Sequence, residues 1–239
     1  MCSELTHQVF IDYDINMPYR KTPFVNNEIY HVVNRGVAQK PIFLNKRNYQ
    51  RFLGILNFYR FNPSLRFSYF YRLSGKEKQD FIGNLKKNKE PVIEILTFCL
   101  MPNHFHILLR QFQDKGIQIF MRNLQNSYAR YFNNKHNRIG PLFQSPFKAI
   151  RIEDEEQLLH VSRYIHLNPS SSYLIEIDKL ENYPWSSLSE YLGQRTPELT
   201  SPKLVLSFFE SNEKYKEFVF NQADYQREFE NIKHLILEK

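Results

Sequence analysis

Residues 92–110 read VIEILTFCLMPNHFHILLR, and the way this stretch folds decides the rest. Val92–Met101 is a mostly apolar run of strand length, Pro102-Asn103 is a turn signal, and His104–Arg110 is a second strand, so the two form a candidate hairpin. Side chains alternate along a strand. His104 and His106 therefore project to one face, and Phe105 points the other way, into a core.

On the N-terminal side, residues 28–34, EIYHVVN, read as a strand ending at Arg35-Gly36. Asn45 is placed to cap a helix running to about Phe61, in which Phe52, Leu53, Leu56 and Tyr59 recur at helical spacing. The lysine-rich stretch from Ser74 to Lys89 predicts a short exposed helix, closed by Pro91. On the C-terminal side a helix is expected from about Ile117 to Asn134, with Ile117, Phe120, Met121, Leu124, Tyr128 and Tyr131 as its apolar stripe. Phe147–Ile152 reads as a strand. Asp154, three residues before Gln157, opens another helix, which is expected to stop near Asn168 because Pro169 follows.

The order strand, helix, strand, strand, helix, strand is the ferredoxin-like β-α-β-β-α-β arrangement of an α+β protein with an antiparallel sheet. One further helix and a C-terminal helical extension are added. The expected organisation is an irregular lead-in over residues 1–26, a main domain over 27–193 and a helical tail over 197–239.

Composition limits the function classes. The chain has 239 residues, a net charge of +7 and 42% apolar residues, enough for one sizeable core and biased toward polyanionic partners. Its two cysteines, Cys2 and Cys99, allow neither a disulfide framework nor a four-cysteine zinc site and fit a reducing, cytoplasmic setting. The first residues, MCSELTHQVFIDYD, resemble no export signal, and no apolar run is long enough to span a membrane. Walker A and GxGxxG sequences are absent, so no nucleotide cofactor is expected.

Two stretches carry chemistry. His104 and His106 can converge on one metal ion, although two surface histidines on an edge strand would show the same spacing. In residues 163–169, RYIHLNP, Tyr164 and Asn168 are four apart and share a helical face, with His160 one turn earlier. Leu158, Val161 and Ile165 fall on another face, suited to packing on the sheet. An exposed tyrosine beside an asparagine stop is the plain alternative. A tyrosine hydroxyl, with its ordinary pKa near 10, is a poor nucleophile at neutral pH. A metal that polarises a phosphate compensates, Asn168 can supply an amide oxygen as third ligand, and the product is a covalent phosphotyrosine. Tyr128 and Tyr131 compete for the nucleophile role.

The segments YHVVNRG (30–36), PIFL (41–44), CLMPNHFHILL (99–109), SYARYFN (127–133), GPLFQSPFKAIRI (140–152), RYIHLNP (163–169) and YPWSS (183–187) together resemble the HUH single-tyrosine transposases of the insertion-sequence 200/605 superfamily, in particular the REP-associated tyrosine transposases. The resemblance implies His104 and His106 as metal ligands, Asn168 completing the site, Tyr164 as nucleophile and Mg²⁺ or Mn²⁺ as the metal, with two imidazoles suiting manganese better. It implies a transposase-type strand transferase that cleaves and rejoins single-stranded DNA carrying hairpin or palindromic repeats through a 5′-phosphotyrosine. It leaves open a monomer or homodimer, and sets the chain in the cytoplasm, at the nucleoid. Candidate phosphate contacts are Arg35, Lys40, Arg47, Arg122, Arg130, Lys148, Arg151 and Arg163. Two alternatives remain: a non-catalytic single-stranded nucleic-acid-binding module, and a domesticated HUH nickase acting on chromosomal repeats.

Overall fold

In the computed structural model, which describes residues 23–221, four strands form one antiparallel sheet: β1 (Ile29–Arg35), β2 (Ile93–Met101), β3 (His104–Gln111) and β4 (Lys148–Arg151), in the order β2-β3-β1-β4. This is the expected ferredoxin-like order, with the His104–His106 strand in the interior of the sheet. The lead-in up to residue 22 and the tail beyond residue 221 lie outside the described residues.

The two faces of β3 build two cores. Phe105, Ile107 and Leu109 pack with α1 (Lys46–Tyr59) and α4 (Gly116–Lys135), around Phe52, Phe120, Leu124 and Tyr128. Leu108 faces the other way, into a cluster with Leu158 and Ile165 of α5 (Glu155–Ser171). Phe105 is fully buried, which stabilises the fold by roughly 1.5–3 kcal/mol relative to exposure. A bulge in β2 between Ile95 and Thr97 resets the alternation, so Leu96 and Thr97 both serve the α5 side while Phe98 and Leu100 return to the α1–α4 side.

Local sequence explains the helix ends. The Asn45 side chain caps α1 by accepting from the Asn48 amide at 3.2 Å. Two elements fall between α1 and β2: a one-turn helix α2 (Phe67–Phe70), which the sequence did not announce, and α3 (Gly75–Asn88), opened by a capping box between Ser74 and Glu77. Gly116 opens α4 where a Cβ would sit 2.4 Å from the Val92 carbonyl oxygen, so close backbone approach demands glycine. The Asp154 side chain accepts from the Gln157 amide at 2.7 Å, and Gln157 Oε1 accepts in return from the Glu153 amide.

The end of α5 corrects the sequence expectation. The helix does not stop near Asn168 but carries Pro169 inside it and runs to Ser171. Proline lacks an amide donor and its ring crowds the carbonyl four residues back. The last turn is held by donors beyond it, with the Ser172 amide and Ser171 Oγ both reaching the Asn168 carbonyl, at 3.0 and 3.3 Å.

The remaining described chain covers the α5 side. A 3-10 turn (Ile177–Asn182) leads to Tyr183–Ser187, which shields the outer edge of β2: the Leu100 amide donates to the Trp185 carbonyl at 2.9 Å and the Ser187 amide to the Phe98 carbonyl at 3.0 Å. Short helices α6 (Leu188–Tyr191) and α7 (Lys203–Leu206) and the longer α8 (Asn212–Phe220) follow, and Tyr191, Val205, Tyr215 and Val219 pack with α5. His166 of α5 lies 2.7 Å from Tyr215 Oη and 2.8 Å from Ser187 Oγ. Burial lowers its pKa to about 3, so the ring is neutral at pH 7 and bridges three segments. Among the described residues no helix is long and apolar enough to cross a membrane.

Candidate active site

The site is assembled where the β2–β3 turn meets the segment after β1. The Pro102 carbonyl accepts from the amides of Ile42 and Phe43, at 2.8 and 3.0 Å, and the Asn103 carbonyl from the Gly36 amide at 2.8 Å. A Cβ on Gly36 would meet the Lys40 carbonyl oxygen at 2.2 Å, so this strap closes only around glycine. The turn that launches His104 is thereby held at both of its residues.

His104 and His106 do share a face, with ring centroids 5.0 Å apart. The Asn103 amide donates to the Gln39 carbonyl through Nδ2 at 3.0 Å, which fixes its Oδ1 as the acceptor for His104 Nδ1 at 2.6 Å. His104 Nδ1 is thus the donor of this bond. His106 is 5% exposed. Its Nδ1 lies 3.0 Å from Nε2 of His31, and its Nε2 lies 3.4 Å from the Asn168 side-chain nitrogen. In its Nδ1–H tautomer His106 would donate to His31 Nε2 and accept at Nε2 from Asn168 Nδ2. His31 was not singled out from the sequence. It lies in the YHVVNRG segment, on the same face as His106, but the diagonal contact depends on the β1–β3 register.

The helix α5 brings Tyr164 and Asn168 to these rings. The Tyr164 ring stands edge-on to His106 at 5.5 Å and to His31 at 6.1 Å. Asn168 is buried, and its Oδ1 has no hydrogen-bond partner, an unusual state for a buried amide oxygen. Among the described residues no three His, Cys, Asp or Glu side chains group as metal ligands, and the side-chain amide beside His106 is that of Asn168. An amide oxygen without a hydrogen-bond partner, beside two imidazoles, fits a divalent metal of mixed nitrogen and oxygen preference.

His160 does not join this cluster. Its side chain is exposed, within 3.9 Å of Glu156 and 3.2 Å of Arg163, because one helical turn before Tyr164 the helix has moved past the edge of the ring cluster. The competing tyrosines lie across the sheet. Tyr128 is fully buried, donates to the Ile42 carbonyl at 2.6 Å, and has its pKa raised by burial. Tyr131 Oη accepts from Asn48 Nδ2 and Lys135 Nζ at 3.2 and 3.3 Å.

The candidate phosphate contacts separate by position. Register puts Arg35 opposite His104 and Lys148 opposite Val33, on the face that carries the histidines. Arg151 faces the other way and pairs with Glu28 at 3.0 Å. Arg163 stacks on Phe218 at 4.3 Å. Lys40 and Arg47 are exposed on the segments flanking Ile42 and Phe43, whereas Arg122 and Arg130 are exposed on α4, across the sheet.

Comparison with known proteins bears on the fold and on the middle of the chain. Residues 61–168 match the family model for IS200-like transposases, a span from the end of α1 to Asn168. A solved REP-associated tyrosine transposase, bound to a REP hairpin, superposes with a TM-score of 0.52 at 14% identity, covering 77% of this chain and 93% of its own. A protein of Deinococcus radiodurans R1 described as a transposase gives a TM-score of 0.33 at 13% identity, over 62% of this chain and 95% of its own. No curated protein sequence matches the chain.

Proposed function

We propose that this protein, whose residues 61–168 match the family model for IS200-like transposases, cleaves and rejoins single-stranded DNA with Tyr164 as nucleophile and hairpin-forming DNA as substrate. The observation that carries the reading is the edge-on approach of the Tyr164 ring to His106, 5.5 Å between centroids, one helical turn before the unpartnered Asn168 Oδ1. A tyrosine, two imidazoles and an amide oxygen from different elements converge there. The solved transposase that shares the fold is itself bound to a REP hairpin.

His104, His106 and Asn168 would hold Mg²⁺ or Mn²⁺, which when bound stabilises negative charge developing on the scissile phosphate. Tyr164 Oη attacks phosphorus. The P–O bond to tyrosine forms as the bond to the 3′-oxygen breaks, giving a 5′-phosphotyrosine and a 3′-hydroxyl, and the proton lost by tyrosine ends on the departing oxygen. The phosphodiester energy is kept in the link, so attack by a 3′-hydroxyl reverses the step and rejoins strands. Arg35 and Lys148 are placed to hold phosphates beside the histidines.

The test is covalent capture. Protein and Tyr164→Phe are each mixed with single-stranded hairpin DNA labelled 3′ to the cut, with and without Mn²⁺. A metal-dependent labelled band that survives denaturation and is missing from Tyr164→Phe is the expected result. Tight binding without any such band, across varied hairpins, would replace this reading with a non-catalytic nucleic-acid-binding module.

A further inference from the structure

Across the sheet from Tyr164, α1, α2 and α4 enclose a groove of 580 Å³. Its lining carries four cations, Arg51, Arg66, Arg130 and Lys135, and no Asp or Glu. Arg66 and Arg130 are exposed and form no ion pair among the described residues. The Arg51 guanidinium is boxed by rings, 4.1 Å from the centroid of Tyr71, 4.6 Å from Phe67 and 5.0 Å from Tyr131. Its Nε is buried with no hydrogen-bond partner. A part-buried cation without a carboxylate is costly, and an anion seated in the groove would offset that cost.

The shape favours a chain of phosphates over a single one. The α4 side of the groove runs from Asn123 to Lys135, about 18 Å at 1.5 Å per residue, the length of roughly five phosphates along one DNA strand. Asparagine and serine side chains between the cations add neutral donors, and Tyr131 offers an aromatic surface. We infer that this groove is a second DNA-binding surface, which holds the phosphodiester backbone of the substrate on the side of the sheet opposite the tyrosine. The inference rests on the proposal that the partner is DNA. It concerns binding alone, so it can fail or stand separately from the chemistry at Tyr164.

The experiment measures DNA binding by fluorescence anisotropy in the full-length Tyr164→Phe background, where no cleavage intervenes, using a labelled hairpin with a single-stranded flank. One variant carries Arg66→Ala, Arg130→Ala and Lys135→Ala. A second removes the same charge from exposed positions of α3, with Lys76→Ala, Lys86→Ala and Lys87→Ala. Arg51 is left intact because it supports the rings around it, and thermal melts confirm that both variants fold. The groove variant is expected to bind about 10-fold more weakly, with the slope of log K against log salt flatter by roughly 2–3, while the α3 variant stays near the parent. Equal affinity and slope in the groove variant and the parent overturn the inference, as does an equal loss in both triple variants, which would reflect bulk charge. A selective loss in the groove variant, with no covalent adduct ever formed by the wild type, would retain the groove and discard the nuclease reading.

Discussion

His31 Nε2 lies 3.0 Å from His106 Nδ1, with the two rings stacked at 21° and their centroids 5.2 Å apart. The contact joins neighbouring strands diagonally, and it orients the ring whose other nitrogen faces Asn168. A hydrogen bond to the far nitrogen of a metal-binding imidazole fixes its tautomer and angle.

His31→Phe is therefore expected to weaken Mn²⁺ binding by about 10–100-fold and to slow adduct formation, while hairpin binding is little changed. His31→Gln, whose amide oxygen can accept from His106 Nδ1–H, should recover part of the loss. Mn²⁺ titration followed by calorimetry, alongside the covalent-capture assay, reads both. Full Mn²⁺ affinity in His31→Phe would show that the contact does not position the metal site.

Asn168 is a case where stability and function should separate. Its buried Oδ1 has no partner, so Asn168→Leu removes an unsatisfied polar atom at similar volume. Urea unfolding in the absence of metal should show a change within about 1 kcal/mol, or a gain. Mn²⁺ affinity should fall by more than about 10-fold, since loss of an outer partner alone costs that much. A large destabilisation without loss of metal affinity would make Asn168 a structural residue.

Tyr215 tests the anchoring of α5 by the C-terminal helices. Its hydroxyl lies 2.7 Å from His166 Nδ1 and 3.3 Å from Ser162 Oγ, and all three groups are buried. Tyr215→Phe leaves a neutral imidazole nitrogen without a partner, which is expected to cost about 1–3 kcal/mol in urea unfolding. Metal dependence of adduct formation should persist, because His166 points toward Tyr215 and Ser187 rather than toward the proposed ligands His104, His106 and Asn168.

Much of the spatial grouping of His104, His106, Tyr164 and Asn168 was readable before any coordinates. HFH on a strand forces two imidazoles to one face, and Tyr164 and Asn168 four apart on a helix must rise together. His160 satisfied the same helical spacing and still fell outside, because spacing says which residues share a face and not how far along the neighbouring strand that face reaches. His31 had no local pattern at all. Its role depends on the pairing of Val33 with His106, a relation between residues far apart in sequence.

The sequence by itself determined the order of elements, the caps at Asn45 and Asp154, and the alternation that divides β3 between two cores, because these depend on interactions within a few residues along the chain. The tertiary structure decided the rest. It extended α5 through Pro169, since donors downstream of the proline hold the last turn. It put Tyr128 and Tyr131 across the sheet from the histidines and Tyr164. It left Asn168 Oδ1 without a partner and gathered four cations between α1, α2 and α4. Long-range packing sets all of these, because a side chain's chemistry depends on what surrounds it in space, and distant segments supply most of those surroundings.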